Sequence, residues 1–343
     1  MAELDVTREV AEQVLESDPD PVVRLRLLRD IFRQPLDSDE VMQAKRNLSN
    51  SRWVQELESE QWGDGSWGRF HTMDTKVKQK ISTTEVGVSR ALALGLDASH
   101  PILSRTVAYI TSILDGTLEW RDNREVSWGL SWWNSAVKLI SAATLAQIQP
   151  DLPVLEEVWN LWYAILRRAF PAGEYDRKEE IQAQLELLGI RSLSRYARKK
   201  ISEGRALGTF TKYHVALLSS RADRLPLQLE KAYLAKIWNL DDGIGYLDVP
   251  LTAPPAQLLD KKPYHPDYWL SSIELLAPFR SWRDVARDAV GWLWQQGNER
   301  GFWDFGSRPP LSTYFPLSES WRKKEGERIR LDNKSPCATQ EIL

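Results

Sequence analysis

One motif governs how this chain can fold. A glycine-rich turn ending in an aromatic residue returns again and again between long helical stretches. Its fullest copy is Gln61-Trp-Gly-Asp-Gly-Ser-Trp67. Weaker copies are Asp115-Gly116…Trp120, Gly173-Glu-Tyr175, Asp242-Gly-Ile-Gly-Tyr246 and Gln296…Gly301-Phe-Trp303. Successive aromatics stand roughly 50–70 residues apart, room for two helices and their loops. A unit of that length cannot bury its apolar face alone, so neighbouring copies must stack.

Between the turns, helix character alternates. Ser135–Ile148 is apolar nearly all round, through Ala136, Val137, Leu139, Ile140 and Leu145. Such a helix belongs inside a protein. Val154–Phe170 is amphipathic, with Glu156, Glu157, Arg167 and Arg168 as its wet residues. Thr83–Leu96 and Pro101–Leu114 repeat this inner–outer scheme, as do Tyr268–Leu276 and Trp282–Gln295. Period-2 strand patterning is missing. The fold class predicted is all-α, with alternating inner and outer helices closing a ring around a cavity. About five degenerate helix-hairpin repeats would build it. Val22–Phe32 and Glu40–Glu58 read as two earlier helices. Residues 1–50 are therefore read as N-terminal helices packing on the ring. Residues 51–306 are the repeat domain, and 307–343 an irregular polar tail.

Composition narrows the function classes. The formal net charge is −3, so no basic field draws the chain to nucleic acid. The most apolar stretch, Ser135–Ile148, contains Lys138 and is too short to cross a bilayer. Met1–Gln34 lacks the basic start and apolar run of a secretory signal. A single cysteine, Cys337, excludes an internal disulfide framework and fits a reduced cytoplasm. His71, His100, His214 and His265 show no metal-ligand spacing, so neither metal nor cofactor is expected. The expectation is a soluble cytoplasmic protein with an apolar small-molecule ligand. A shallow contact with a membrane surface and the oligomeric state stay open.

The string Gln61-x3-Gly65-x-Trp67, followed by Ser82-Thr-Thr-Glu85 and the helix Val86–Leu96, resembles a known repeat. So does Gly95-Leu-Asp-Ala-Ser-His-Pro101 between inner and outer helix. The resemblance is to the QW repeat of the terpenoid cyclases and protein prenyltransferase β subunits. It implies an α/α toroid over residues 50–306. It also implies that Gln61, Gly65 and Trp67, with Gln296, Gly301 and Trp303, are structural residues tying turns to helix ends. The activity implied is binding of an isoprenoid or similar apolar substrate in a central aromatic-lined cavity, with cyclisation left open. The chain departs from the family in one respect that bears on chemistry. The Asp-x-Asp-Asp acid motif of the class II cyclases is absent, and Lys80-Ile-Ser-Thr-Thr84 stands in the matching place. The nearest carboxylates, Glu85 and Asp74, are the candidate catalytic acids. Ser82-x-x-Glu85 also fits a helix capping box. Asp241-Asp242, the sole Asp-Asp pair, reads as a solvated turn.

Inner helices would bring their N-terminal ends to one mouth of the ring. Candidate substrate-binding residues there are His71, Trp128, Trp132, Trp133, His214, Tyr268 and Trp269, with Tyr213, Tyr264 and His265 beside them. An aromatic cup suits an apolar polyene, and its ring faces would stabilise a cation. The same aromatics would equally fill a solid core. A basic run, Arg191 to Lys200 with Arg205 and Lys212, reads as a diphosphate grip or as a solvated face. Three function classes remain open. The first is a cyclase-like enzyme. The second is a non-catalytic ligand- or partner-binding scaffold that has lost the acid motif. The third is a carbohydrate-active toroid using Asp74, Glu85 and Asp267.

Overall fold

The computed structural model describes residues 2–71, 76–120, 130–190, 208–252, 266–295 and 297. Side chains are described from residue 7 onward, and from 133 and 268 in the segments that begin at 130 and 266. Among these residues there are thirteen α-helices and no strand; Thr211 and Gly245 form an isolated bridge. The all-α expectation therefore holds. The chain divides into two compact units.

The first unit comprises 1–69, 73–104 and 290–343. It holds α1 (Ala2–Glu16), α2 (Pro21–Arg26), α3 (Asp39–Ser49), α4 (Arg52–Glu60) and α5 (Thr84–Ala93). The first turn of α6 (Pro101–Leu114) also belongs to it. α2 runs on as a π-turn, Leu27–Ile31, against which α1 packs. α3 lies on α2 and α4, and α4 on α5. The single helix predicted over Glu40–Glu58 is two. Ser51 takes an extended conformation and its Oγ accepts from Val54 N, which starts a new helix. α5 ends on Gly95 at φ +81, where Gly95 N bonds Leu92 O and Leu96 N bonds Ala91 O. That is a Schellman ending, which needs a left-handed residue. Arg29 donates to Gly95 O at 2.9 Å, a cation placed on the negative end of the helix. His100 opens α6 with Nδ1 3.4 Å from Ile102 N, and Pro101 occupies the first helical position.

The second unit comprises 70–72 and 105–289. It holds the rest of α6, then α7 (Leu130–Ile148), α8 (Leu155–Ala169), α9 (Arg177–Leu187) and α10 (Lys212–Ser219). α11 (Leu227–Trp238), α12 (Pro266–Leu276) and the start of α13 (Trp282–Gln295) complete it. From Ala136 to Ala146 every residue of α7 except Lys138 is buried, and in α10 every residue from Tyr213 to Ser219. α10 packs against α7, α8 and α12. α8 keeps a wet face at Glu157, Asn160 and Arg167. The helix that reads as apolar all round, α7, is thus an enclosed one, and the equally enclosed α10 packs against it. α9 occupies part of the longest interval between turns. Its buried face includes Glu180 and Gln184, so hydrophobic periodicity does not reveal it.

A buried arginine locks the α7–α8 connection. Arg221 donates to Pro150 O (2.9 and 3.1 Å) and Leu152 O (3.2 Å), and pairs with Glu156. Arg224 grips the same carboxylate with two hydrogen bonds, 2.7 and 2.9 Å. Hydrogen bonds from Arg224, with Asn160 and Arg221, hold the Glu156 carboxyl down at about 2. The folded value lies below the ordinary 4.5, so the unfolded chain protonates first. This contribution to stability is complete above about pH 4.5 and is lost as pH falls toward 2. A Glu156→Gln chain should be less stable at pH 7 and lose less stability on acidification through that window. Urea midpoints from pH 7 to 2 measure it. Parallel acid limbs in the two chains would contradict the assignment.

Candidate functional site

The first turn motif is a pinned structure. Gln61 Nε2 donates to Gly65 O (3.0 Å) and to Ile102 O (2.9 Å), joining the turn to the first turn of α6. Gly65 has φ +89, a conformation L residues rarely adopt. Trp67 is fully buried, with Nε1 donating to Leu57 O at 2.9 Å. Its main-chain N–H donates to Thr84 Oγ1 at 3.1 Å. The indole lies flat on Gly87, where an added Cβ would stand 2.3 Å from the ring. Gln296, Gly301 and Trp303, the matching residues of the last turn, lie outside the described residues.

The carboxylates separate. Glu85 is the second residue of α5 and is half-buried. The N-cap is Thr83, whose Oγ1 accepts from Val86 N at 3.2 Å. A box of Ser82 and Glu85 is therefore one residue out of register. Thr84, the other hydroxyl neighbour, is taken by Trp67. Asp74 lies outside the described residues, as do Trp128, Tyr264, His265 and the basic run up to Arg205. The side chains of Trp132 and Asp267 do too. Asp241 and Asp242 are exposed in a turn after α11.

The remaining aromatic candidates are mostly enclosed. Trp133 is buried edge-on to Trp120, with ring centres 5.8 Å apart. Trp269 is buried with Nε1 3.5 Å from Leu251 O. Tyr268 is half-buried. His214 has no exposed surface. Its Nδ1 is 2.8 Å from Thr209 O and its Nε2 3.3 Å from Trp162 O. Beside it runs a buried polar network. Tyr233 donates to Thr209 O (2.6 Å), while Glu180 accepts from Thr209 N (2.7 Å), Gln184 and Tyr175. Burial, then the Glu180 carboxylate, pushes the Tyr175 hydroxyl well above its ordinary value, so it stays a donor.

His71 belongs to a different environment. Its Nδ1 is 3.1 Å from the hydroxyl of Tyr213, the second residue of α10. Tyr246 completes the group, 5.2 Å from the Tyr213 ring and 6.5 Å from the His71 ring, edge-on to both. The Lys212 ammonium sits 4.7 Å from the Tyr213 ring centre, on a cation–π contact. Tyr213 is buried, His71 half-buried, and Tyr246 is 47% exposed. The loop carrying Tyr246 is tied to the start of α10. Lys212 N donates to Gly245 O (3.1 Å), and Gly245 N to Phe210 O (2.9 Å). The first of these bonds satisfies one of the amides that a helix N-terminus leaves unpaired.

These three rings form a graded aromatic surface, closed at Tyr213 and open at Tyr246. It offers ring faces to an apolar body and an imidazole, a phenol and an ammonium to a polar end. Sequence reasoning found His71 and noticed Tyr213, but assigned Tyr246 to the repeat turn. Among the described residues, no group of three His, Cys, Asp or Glu side chains is placed to hold a metal ion. No described helix is long and apolar enough to cross a membrane. Comparison with family models, curated proteins and solved structures finds no match to this chain.

Proposed function

We propose that the chain is a toroid of the terpenoid cyclase type that binds an isoprenoid or similar apolar molecule without turning it over. The observation that carries this reading is the His71–Tyr213–Tyr246 surface. Around the predicted site residue His71 it forms a described cluster that grades from the buried Tyr213 to the exposed Tyr246. The adjacency of α7, α10 and α12 supports the inner row of a toroid. The Gln61–Trp67 turn supports the resemblance to the QW repeat. The non-catalytic half rests on the missing Asp-x-Asp-Asp motif and on the place of Glu85 in the first turn of α5.

Binding of squalene, farnesol and farnesyl diphosphate, read by quenching of tryptophan fluorescence, tests it. Gas chromatography with mass spectrometry of the same mixtures reads turnover. Saturable binding without a new product is expected. A His71→Ala chain of unchanged stability should bind about tenfold more weakly, the equivalent of roughly 1.4 kcal/mol of ring contact. If none of the three compounds binds, the reading fails. A cyclised product would restore the enzyme reading in its place.

A further inference from the structure

We infer that Tyr246 is a ligand-contacting residue which the fold holds in an unfavourable backbone conformation so that its ring completes the aromatic surface. The inference rests on the ligand-binding reading above and adds to it the residue that meets the ligand first. Ile244–Leu247 is a turn closed by Leu247 N donating to Ile244 O at 3.0 Å. Its third residue, Tyr246, has φ +73. Asp248 N donates to the same carbonyl at 2.9 Å, and the left-handed third residue is a feature shared with type II turns, a place that favours glycine. The chain has a glycine one step early. Gly245 is absent from the left-handed region, and a Cβ there would meet nothing nearer than 3.6 Å. The order Gly-Tyr therefore inverts what the turn wants.

The strain is not an ordinary helix ending. The other described non-glycine residues at positive φ before this loop are Asp18, Arg33 and Ala172. Asp18 and Arg33 stand two residues past the ends of α1 and of the π-turn, where a left-handed residue is the usual way to stop, and Ala172 lies within the one-turn 3-10 segment Pro171–Gly173 that follows α8. Tyr246 lies well beyond the end of α11 at Trp238. Its loop is also tightly routed. A Cβ on Gly243 would fall 1.8 Å from Val249 O, so the chain does place glycine here where contact demands it. Asp248, at φ +52, is of a type that tolerates this region. Tyrosine is not, and an aromatic kept there for packing would be buried. Tyr246 instead leaves 47% of its surface open while facing Tyr213 and His71. A side chain retained against backbone preference, at the open edge of an aromatic cluster, fits a residue kept for contact with a ligand.

The test compares wild type, Tyr246→Gly, Tyr246→Ala and Tyr246→Phe in the full chain. Urea midpoints give stability and farnesol titration gives affinity. Tyr246→Gly removes strain and ring together, and should be as stable as wild type or more so, and more stable than Tyr246→Ala. Both truncations should weaken farnesol binding about tenfold or more, and Tyr246→Phe should bind like wild type. A Tyr246→Gly chain less stable than wild type makes Tyr246 a packing residue and overturns the inference. Unchanged farnesol affinity in both truncations overturns it as well. Should the wild type bind none of the isoprenoids, the function proposed above falls. The stability order then decides the role of Tyr246 alone. Gly at or above wild type keeps it as a strained contact residue, and Gly below removes it.

Discussion

Replacing Trp67 with alanine is expected to lower the free energy of unfolding by about 4 kcal/mol, within the range for deleting a fully buried large aromatic. Three losses coincide. The indole is completely enclosed, so its removal leaves a cavity. Its N–H donates to Leu57 O, in the last turn of α4. In a longer helix that carbonyl would accept from Gln61 N, but Gln61 N turns to Glu58 O instead. Leu57 O is thus one of the acceptors a helix end leaves over, and the Trp67 indole donates to it. Third, the indole covers Gly87 on α5, so one side chain joins the end of one helix to the face of the next. The converse change, Gly87→Ala, forces a methyl into the ring and should cost about 2 kcal/mol by overpacking. In the double variant the methyl enters space the indole has vacated. The double loss should therefore fall short of the sum by well over the roughly 0.5 kcal/mol scatter of independent sites. Urea unfolding of the four chains closes the cycle. Additive losses would mean that Trp67 and Gly87 do not share the contact. Since domains are stable by only about 5–15 kcal/mol, either single change should be plain in the midpoint.

The turn that carries this prediction is legible in the sequence because its parts are local. Gln61, Gly65 and Trp67 lie within seven residues, and each has a conformational or packing reason to be there. The apolar sweep of α7 and the Gly95 ending of α5 are legible for the same reason. What resists reading depends on partners far along the chain. Ser82, Thr83 and Thr84 are three candidate caps in a row. Only the fold shows that Trp67 N takes the Thr84 hydroxyl and leaves Thr83 as the cap. The break between α3 and α4 falls in the short polar run Ser49-Asn50-Ser51, inside a longer stretch of helical pattern that masks it. α9 hides because its buried face carries Glu180 and Gln184, satisfied by Tyr175 and Thr209 N. At the candidate site, aromatic residue type marks Trp133, His214, Trp269 and His71 alike. Burial then separates them, enclosing the first three and leaving His71 beside Tyr213 and Tyr246. Tyr246 gives one local signal, a glycine preceding an aromatic where a turn with a left-handed third residue favours the reverse. That signal has meaning only once the turn is known.

The buried imidazole gives the chain a large pH dependence of stability. Burial of His214 lowers its pKa from 6.5 to about 4, outweighing the contacts to Thr209 O and Trp162 O, which favour the charged ring. The folded chain therefore resists a proton that the unfolded chain accepts. Stability is complete above about pH 6.5 and falls as pH drops toward 4, by about 3 kcal/mol over that window at roughly 1.36 kcal/mol per pH unit. Tyr233, whose hydroxyl is 3.4 Å from Nδ1, is held well above its ordinary value by burial. A His214→Phe chain isolates the effect. The new ring keeps edge contacts toward Trp162 and Tyr233, now 5.3 and 6.3 Å from the imidazole. Thr209 O keeps the Tyr233 hydroxyl as donor, and Trp162 O lies inside α8 where the helix backbone supplies a donor, so neither carbonyl is orphaned. His214→Phe should therefore fold at neutral pH with a modest loss and stay level between pH 6.5 and 4.5, where wild type declines. Glu156 acts below that window, so the two acid effects separate on the pH axis. A wild-type decline that survives in His214→Phe would assign it to other groups.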